Sequence, residues 1–167
     1  KSYPSQLENL LEKRWYKNYT VINWWNSWDT SSQLLARLAR SIEWYEKDSI
    51  AILVIWANDW LQWLPIDQMK SNISAIIEKL QSKWITVVLW GMQIPLNRGE
   101  EYRQQFSQAF VSLANKYDIY FVKFFLEWVA WNPQLNMDDG IHPTAQWYNI
   151  IAQNTLAFLR ENWLIIK

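Results

Sequence analysis

The sequence predicts a single α/β domain of three layers, with a parallel sheet between two layers of helices. Short apolar runs alternate with longer amphipathic runs along the chain, which is typical of βα units. Residues 50–55 (IAILVI) and 85–89 (ITVVL) are apolar without a break, as expected for strands that are covered on both faces of a sheet. The 167 residues suffice for one core and contain no repeat or linker, so one domain over 1–167 is expected.

The individual elements follow from two kinds of pattern. Helices are predicted where apolar residues recur at three- and four-residue spacing, and strands where short β-branched or aromatic runs occur. The predicted helices cover 4–14, 30–43, 66–83, 100–117 and 144–161, and the predicted strands cover 19–23, 50–55, 85–89 and 119–124. The helix over 66–83 has the clearest stripe: Met69, Ile73, Ile76, Ile77 and Leu80. Pro143 and Thr144 mark the start of the last helix.

Composition excludes several classes of function. The 16 basic and 16 acidic residues balance, so nothing favours nucleic acid or an anionic membrane as a partner. No cysteine is present, which rules out disulfides and thiol chemistry, and no apolar run approaches the ~20 residues of a membrane span. A single histidine beside two aspartates is a poor metal ligand set, so no metal is expected.

Tryptophan is in excess and glycine is scarce: the chain has 14 Trp and only 3 Gly. Trp15, Trp84 and Trp163 each follow a helix-like run and precede an apolar run, which is the position where helices usually end on a glycine with positive φ. One explanation is a truly Trp-rich protein, such as a sugar binder with aromatic platforms. The other, which average composition favours, is that about 13 of these residues are UGA-encoded glycines read as tryptophan, with Trp44 as the candidate for a genuine one.

His142 is the only histidine, so any histidine-based general base must be this residue. It ends the segment DDGIH, which begins at Asp138 and Asp139. An acid close before a histidine, across a glycine-containing turn, can hold the imidazole Nδ1–H and stabilise the imidazolium. From the spacing alone, an aspartate that caps the next helix beside a surface histidine is the favoured alternative.

Asn58 follows the apolar run 50–55, at the edge of the sheet where ligands bind in open α/β folds. An amide at this edge can donate a hydrogen bond to a developing oxyanion, although a turn or cap asparagine would look the same. The segment 26–30 is equally ambiguous, because Asp29 or Thr30 could be the N-cap of the next helix.

The segments that follow the strands carry a family resemblance when tryptophan is read as glycine. They become NGGNSGDTS, GANDGLQG, GGMQIPLNRG and DDGIHPTAQGY, in this order. From about Tyr3 to the end, this series resembles the SGNH (GDSL-type) hydrolases, in the branch of small arylesterases, lysophospholipases and acyl-thioesterases. The resemblance implies a flavodoxin-like fold and a serine esterase without cofactor or metal. Its substrate would be a small ester, thioester or lysophospholipid, and a periplasmic or secreted location is favoured over others.

The motifs also assign roles to individual residues. The resemblance makes Asp139 the acid and His142 the base, places Asn58 and the backbone N–H at Trp28 in the oxyanion hole, and puts Met92, Ile94 and Pro95 in the substrate pocket. It implies that the first strand of the sheet and the nucleophilic serine lie before Lys1, because no serine of this chain stands in a GDS motif after a strand.

A genuine tryptophan at position 28 would put an indole in the space for the oxyanion and its backbone in an unfavourable φ/ψ region. The chain as written is then expected to be inactive. The rival functions are a catalytically inactive SGNH-like protein and a Trp-rich carbohydrate-binding protein.

Overall fold

The computed structural model describes residues 2–45, 48–55, 57–92, 94, 99–123 and 145–166. In chain order the elements are α1 (Tyr3–Lys13), α2 (Ser31–Ser41), β1 (Ile50–Leu53), α3 (Ala57–Leu61), α4 (Ile66–Gln81), β2 (Thr86–Trp90), α5 (Glu100–Tyr117), β3 (Tyr120–Val122) and α6 (Ala145–Glu161). They form two compact units: α1 and α6 belong to one, and the elements from α2 to β3 belong to the other. None of the described helices is both long and apolar enough to span a bilayer.

The larger unit is built on a parallel sheet in the order β1-β2-β3. Ile50 pairs with Thr86 in the first ladder, and Val88 pairs with Tyr120 in the second. The central strand β2 is apolar and buried from Val87 to Trp90, as a strand covered on both faces must be. The prediction of an α/β fold with a parallel sheet is confirmed.

The prediction for β1 is only partly right. The strand ends at Leu53 rather than at residue 55, and Leu53 is its one buried residue, the other three being half-buried. The reason lies in its place in the sheet, because among the described strands β1 pairs only with β2 and so forms an edge. A continuous apolar run in the sequence does not distinguish an edge strand from a central one.

Two helices cover the sheet of the larger unit. Helices α4 and α5 pack against β2 and against each other, and α2 packs on α4. The predicted stripe on α4 is confirmed, since each of its five members is at most 2% exposed: Met69, Ile73, Ile76, Ile77 and Leu80. The predicted bounds of α5 are also confirmed.

The smaller unit is held together by the packing of α1 against α6. Tyr3 and Thr155 hydroxyl oxygens lie 3.0 Å apart, and Thr155 donates its single hydroxyl hydrogen to the Ile151 carbonyl at 2.8 Å. The Tyr3 hydroxyl must therefore be the donor to Thr155. Burial raises the pKa of the Tyr3 phenol, which keeps this donor protonated.

Four helices end in the same motif, and each time its left-handed residue is a tryptophan. Trp15, Trp63, Trp84 and Trp163 have φ of 69°, 59°, 60° and 56°. In each case the tryptophan N–H donates to the carbonyl three residues earlier, and the next N–H donates to the carbonyl five residues earlier. This is the Schellman motif, whose left-handed position normally holds glycine.

The expectation that Trp15, Trp84 and Trp163 occupy glycine-type positions is thus confirmed, and Trp63 is a further case. All four indoles are at least 70% exposed, so little packing offsets the strain of positive φ. The other left-handed residues besides glycine in the described structure are Asp48 and Asp118, a residue type that tolerates this region. Trp90 and Trp147 differ from these four, because both are buried and neither is among the described residues with positive φ.

One predicted strand is absent from the described structure, and one short helix was not predicted. Residues 19–23 form no strand, because a strand needs a hydrogen-bonded neighbour and no described residue pairs with them. The short helix α3 was not expected in the segment after β1. Trp44, the candidate for a genuine tryptophan, stands in the turn after α2, which ends at Ser41, and 84% of its surface is exposed.

Candidate active site

The segment that precedes α2 is a turn closed by a hydrogen bond from the Asp29 N–H to the Asn26 carbonyl at 3.2 Å. Thr30 follows as the N-cap of α2. It forms a capping box with Gln33, in which each residue's backbone N–H donates to the other's side-chain oxygen, at 2.8 and 3.4 Å. Of the two alternatives for the cap, Thr30 is the one found.

Asp29 is instead bound by two side chains. Its carboxylate accepts from Asn26 Nδ2 at 2.9 Å and from Arg37 Nε at 2.5 Å, and the residue is 7% exposed. The charge of Arg37 offsets the charge of the buried carboxylate. Asp29 therefore fastens the turn to α2.

Asn58 lies at the start of α3, directly beyond the end of β1, and its side chain turns toward the same segment. Its amide nitrogen is 3.1 Å from the Ser27 carbonyl oxygen and 2.9 Å from the Asp29 carbonyl oxygen. Both acceptors are carbonyls, so it is the nitrogen of the amide that must face them. Asn58 therefore spans the backbone on both sides of Trp28, although the two positions lie far apart in the sequence.

The neighbouring residue, Asp59, is 1% exposed and accepts two hydrogen bonds from Ser31. Oδ2 accepts from the Ser31 backbone N–H at 2.8 Å, and Oδ1 accepts from the Ser31 hydroxyl at 2.5 Å. Asn72 on α4 donates to the same hydroxyl oxygen at 3.0 Å. Ser31 is fully buried and its hydroxyl is fully engaged, so it has no access to a substrate.

Trp28 does not have the strained backbone that was expected of it. It is not among the described residues with positive φ, because the turn from Asn26 to Asp29 uses ordinary backbone conformations at this position. Its indole is 76% exposed. Position 28 therefore accepts a side chain locally, unlike the four helix ends that hold tryptophan.

The remaining predicted site residues fall into two groups. Met92 and Ile94 are buried, at 8% and 2% exposure, and the Met92 carbonyl accepts from the Ser107 hydroxyl at 3.4 Å. Pro95, Asp139 and His142 lie outside the described residues, so the acid–base pair stays a prediction. Within the described part of the chain, no cluster of three or more His, Cys, Asp or Glu side chains is arranged to hold a metal ion.

The buried network of Ser31, Asp59 and Asn72 was not predicted from the sequence. One signal was available: Asn72 stands three residues after Met69 and four before Ile76, so it shares their apolar face of α4. At 6% exposure it is a polar residue inside a buried stripe, and such residues are hydrogen-bonded. Its partners lie far away in the chain and carry no local sequence signal.

Comparison with known proteins adds a family to this geometry. The sequence model of the GDSL-like lipase/acylhydrolase family matches residues 1–150. The chain is 33% identical over 153 residues to an arylesterase of Vibrio mimicus, covering 92% of this chain and 76% of that protein. It is 30% identical over 143 residues to thioesterase 1/protease 1/lysophospholipase L1 of Escherichia coli strain K12, covering 86% of this chain and 68% of that protein.

A solved structure supports the fold. The esterase AlinE4, described as an SGNH-hydrolase family esterase, superimposes with a TM-score of 0.77 at 35% sequence identity. The match covers 97% of this chain and 86% of AlinE4. The predicted SGNH-type α/β fold is confirmed by this likeness.

Proposed function

This chain belongs to the GDSL-like lipase/acylhydrolase family and is an esterase or acylhydrolase of the SGNH type, and we propose that it hydrolyses small carboxylic esters or thioesters through an acyl-enzyme. Its relatives, an arylesterase and a thioesterase/lysophospholipase, support this substrate class. The proposal extends to lysophospholipids, which present the same ester group on a single acyl chain.

The observation that supports the proposal most is the contact between Asn58 and the backbone around position 28. Both positions are assigned to the oxyanion hole, and the hydrogen bonds at 3.1 and 2.9 Å bring them together. In catalysis, Asn58 would exchange its longer bond, to the exposed Ser27 carbonyl, for the substrate oxyanion. Hydrogen bonds of this kind commonly rearrange once substrate is bound.

The other roles follow the family motif. His142 takes the proton of the nucleophilic serine and gives it to the leaving group, and Asp139 orients the imidazole. The nucleophile is assigned to a serine outside these 167 residues, because no serine of the chain stands in a GDS motif. Ser31, which is close to the site in sequence, is buried and bound to Asp59.

The rival, a carbohydrate-binding protein, needs several exposed indoles arranged as one stacking surface. Four of the exposed tryptophans are accounted for by helix ends, one at the end of each of four helices: Trp15, Trp63, Trp84 and Trp163. Their positions are set by backbone geometry, so nothing in them favours the binding function.

The test uses the full open reading frame of the gene with UGA decoded as glycine, assayed on short-chain p-nitrophenyl esters and acyl thioesters. We expect His142→Ala to abolish turnover and Asp139→Asn to reduce it strongly. Asn58→Ala should lower kcat by about 10²–10³-fold if the amide stabilises the oxyanion. Asn115→Ala, an exposed position on α5, is the matched control and should leave kcat unchanged.

Full activity in the His142→Ala protein would contradict the proposal, because no other histidine can act as the base. Loss of activity in the Asn115→Ala protein equal to that of Asn58→Ala would show that the asparagine effect is not local to the site.

A further inference from the structure

Asp59 is a buried carboxylate that is not one of the proposed catalytic residues Asn58, Asp139 and His142. Both of its oxygens are bound by one residue, Ser31, at 2.8 and 2.5 Å. No Lys or Arg side chain lies within ion-pair distance of it among the described residues. The positive charge it faces is that of the helix terminus, because Ser31 is the first residue of α2 and its N–H has no partner within the helix.

Burial of a carboxylate is unfavourable unless its hydrogen bonds are satisfied, and an apolar side chain would often be at least as stable there. The hydrogen bonds around Asp59 are arranged as a chain rather than as a single pair. Asn72 Nδ2 donates to the Ser31 hydroxyl at 3.0 Å, and Gln68 Nε2 donates to the Asn72 side-chain oxygen, Oδ1, at 3.1 Å. The start of α2 is thereby fixed to α3 on one side and to α4 on the other.

Asn58 and Asp59 are consecutive, and together they bind opposite kinds of group on one short segment. Asn58 donates to the carbonyls of Ser27 and Asp29, while Asp59 accepts from the N–H of Ser31. We call these two residues the 58–59 clamp. The clamp holds the backbone on both sides of position 28, and its bonds to Asp29 and Ser31 remain when Asn58 exchanges its bond to Ser27 for the substrate oxyanion.

We propose that Asp59 is a positioning residue of the oxyanion hole, which fixes the segment 27–31 so that the N–H of residue 28 and the amide of Asn58 keep one relative position. This inference rests on the proposed esterase function. Misplacement of a catalytic group by about 1 Å can cost on the order of 100-fold in rate, so a residue that touches no substrate can still govern kcat.

The first measurement needs no substrate. Amide hydrogen exchange of residues 27–31 is compared in the full-length wild-type protein, Asp59→Asn and the control Asp67→Asn. Asp67 is exposed in the first turn of α4, so its variant makes the same chemical change at another helix start. We expect exchange of the Ser31 amide to accelerate at least about ten-fold in Asp59→Asn and to stay unchanged in Asp67→Asn, because only the former loses a charge-assisted bond.

The second measurement is the steady-state hydrolysis of a p-nitrophenyl ester. Rates are expressed per active site, counted with a serine-reactive phosphonate, so that partly unfolded protein does not lower the apparent kcat. We expect Asp59→Asn to lower kcat by about 10- to 100-fold with little change in KM. The variant Ser31→Ala keeps the backbone N–H bond to Asp59. It should therefore fold more readily than Asp59→Asn and lower kcat by a smaller factor.

The outcomes separate the two proposals. A wild-type enzyme without esterase activity would overturn the proposed function and the catalytic role of Asp59 with it. An active enzyme in which Asp59→Asn changes neither exchange nor kcat per active site would overturn the positioning role alone. Faster exchange with an unchanged kcat would also overturn it, since the segment would then be mobile without consequence for the reaction.

Discussion

Replacement of the four left-handed tryptophans by glycine should stabilise the protein. The variant carries Trp15→Gly, Trp63→Gly, Trp84→Gly and Trp163→Gly. Each tryptophan has φ between 56° and 69°, where a β-carbon costs about 1–2 kcal/mol. Replacement by glycine relieves this strain, but it also raises the conformational entropy of the unfolded chain. The entropy effect lowers the stabilisation by about 0.4–1 kcal/mol per site.

The net gain is therefore roughly 0.5–1 kcal/mol per site, or about 2–4 kcal/mol if the four sites add. Loss of indole packing subtracts little, since the four side chains are 70–84% exposed. For a chain of this size, about 2–4 °C in Tm accompanies each kcal/mol, so Tm should rise by roughly 4–16 °C. Circular dichroism during thermal unfolding measures this shift.

Trp44→Gly is the matched control. Trp44 is as exposed as Trp163, at 84%, but is not among the residues with positive φ. Its replacement should leave Tm unchanged or lower it slightly, because the entropy term acts without relief of strain. A quadruple variant that melts no higher than the chain with tryptophan at these four positions would refute the argument. The gene offers an independent check, in which UGG codons at the four positions would refute misread glycine as their origin.

Two further changes test packing in the two units. A β-carbon at Gly91 would lie 2.7 Å from the Lys123 carbonyl oxygen. Gly91→Ala should therefore lower the free energy of unfolding, measured in urea, by about 1–3 kcal/mol. No change would mean that the ends of β2 and β3 separate easily. Tyr3→Phe removes the donor to Thr155 and should lower the free energy of unfolding by about 0.5–1.5 kcal/mol. The control Tyr120→Phe, at an exposed position, should not change it measurably. Equal losses in both variants would contradict the assignment of Tyr3 as the donor.

Much of the fold could be predicted because its signals are local. The stripe from Met69 to Leu80 repeats at helical spacing, and α5 begins and ends at the predicted residues. The tryptophans that end α1, α4 and α6 were recognised from sequence because a Schellman motif depends only on the residues around it. The strand predicted for 19–23 failed for the opposite reason, since pairing depends on residues elsewhere in the chain.

In the candidate site, too, features with a local signal could be predicted and long-range contacts could not. Asn58 could be selected from its place after the apolar run 50–55, where ligands bind in open α/β folds. Its proximity to position 28 was expected from the family resemblance, which assigns both positions to the oxyanion hole. The pairing of Asp59 with Ser31 could not be predicted, because hydrogen bonds between residues far apart in the sequence leave no periodic pattern. Only the polar residue Asn72 within an apolar stripe pointed to a buried network.

The parallel pairing of β1 with β2 bears on how the protein is made. Ile50 pairs with Thr86, which is synthesised later. At about 5–20 residues per second, the ribosome reaches Thr86 roughly 2–7 seconds after Ile50. Helix α4 lies between the two strands in the sequence, and it can form within microseconds after it leaves the ribosome. During synthesis β1 therefore lacks β2, its partner among the described strands, for several seconds, and nascent-chain chaperones have that interval in which to bind it.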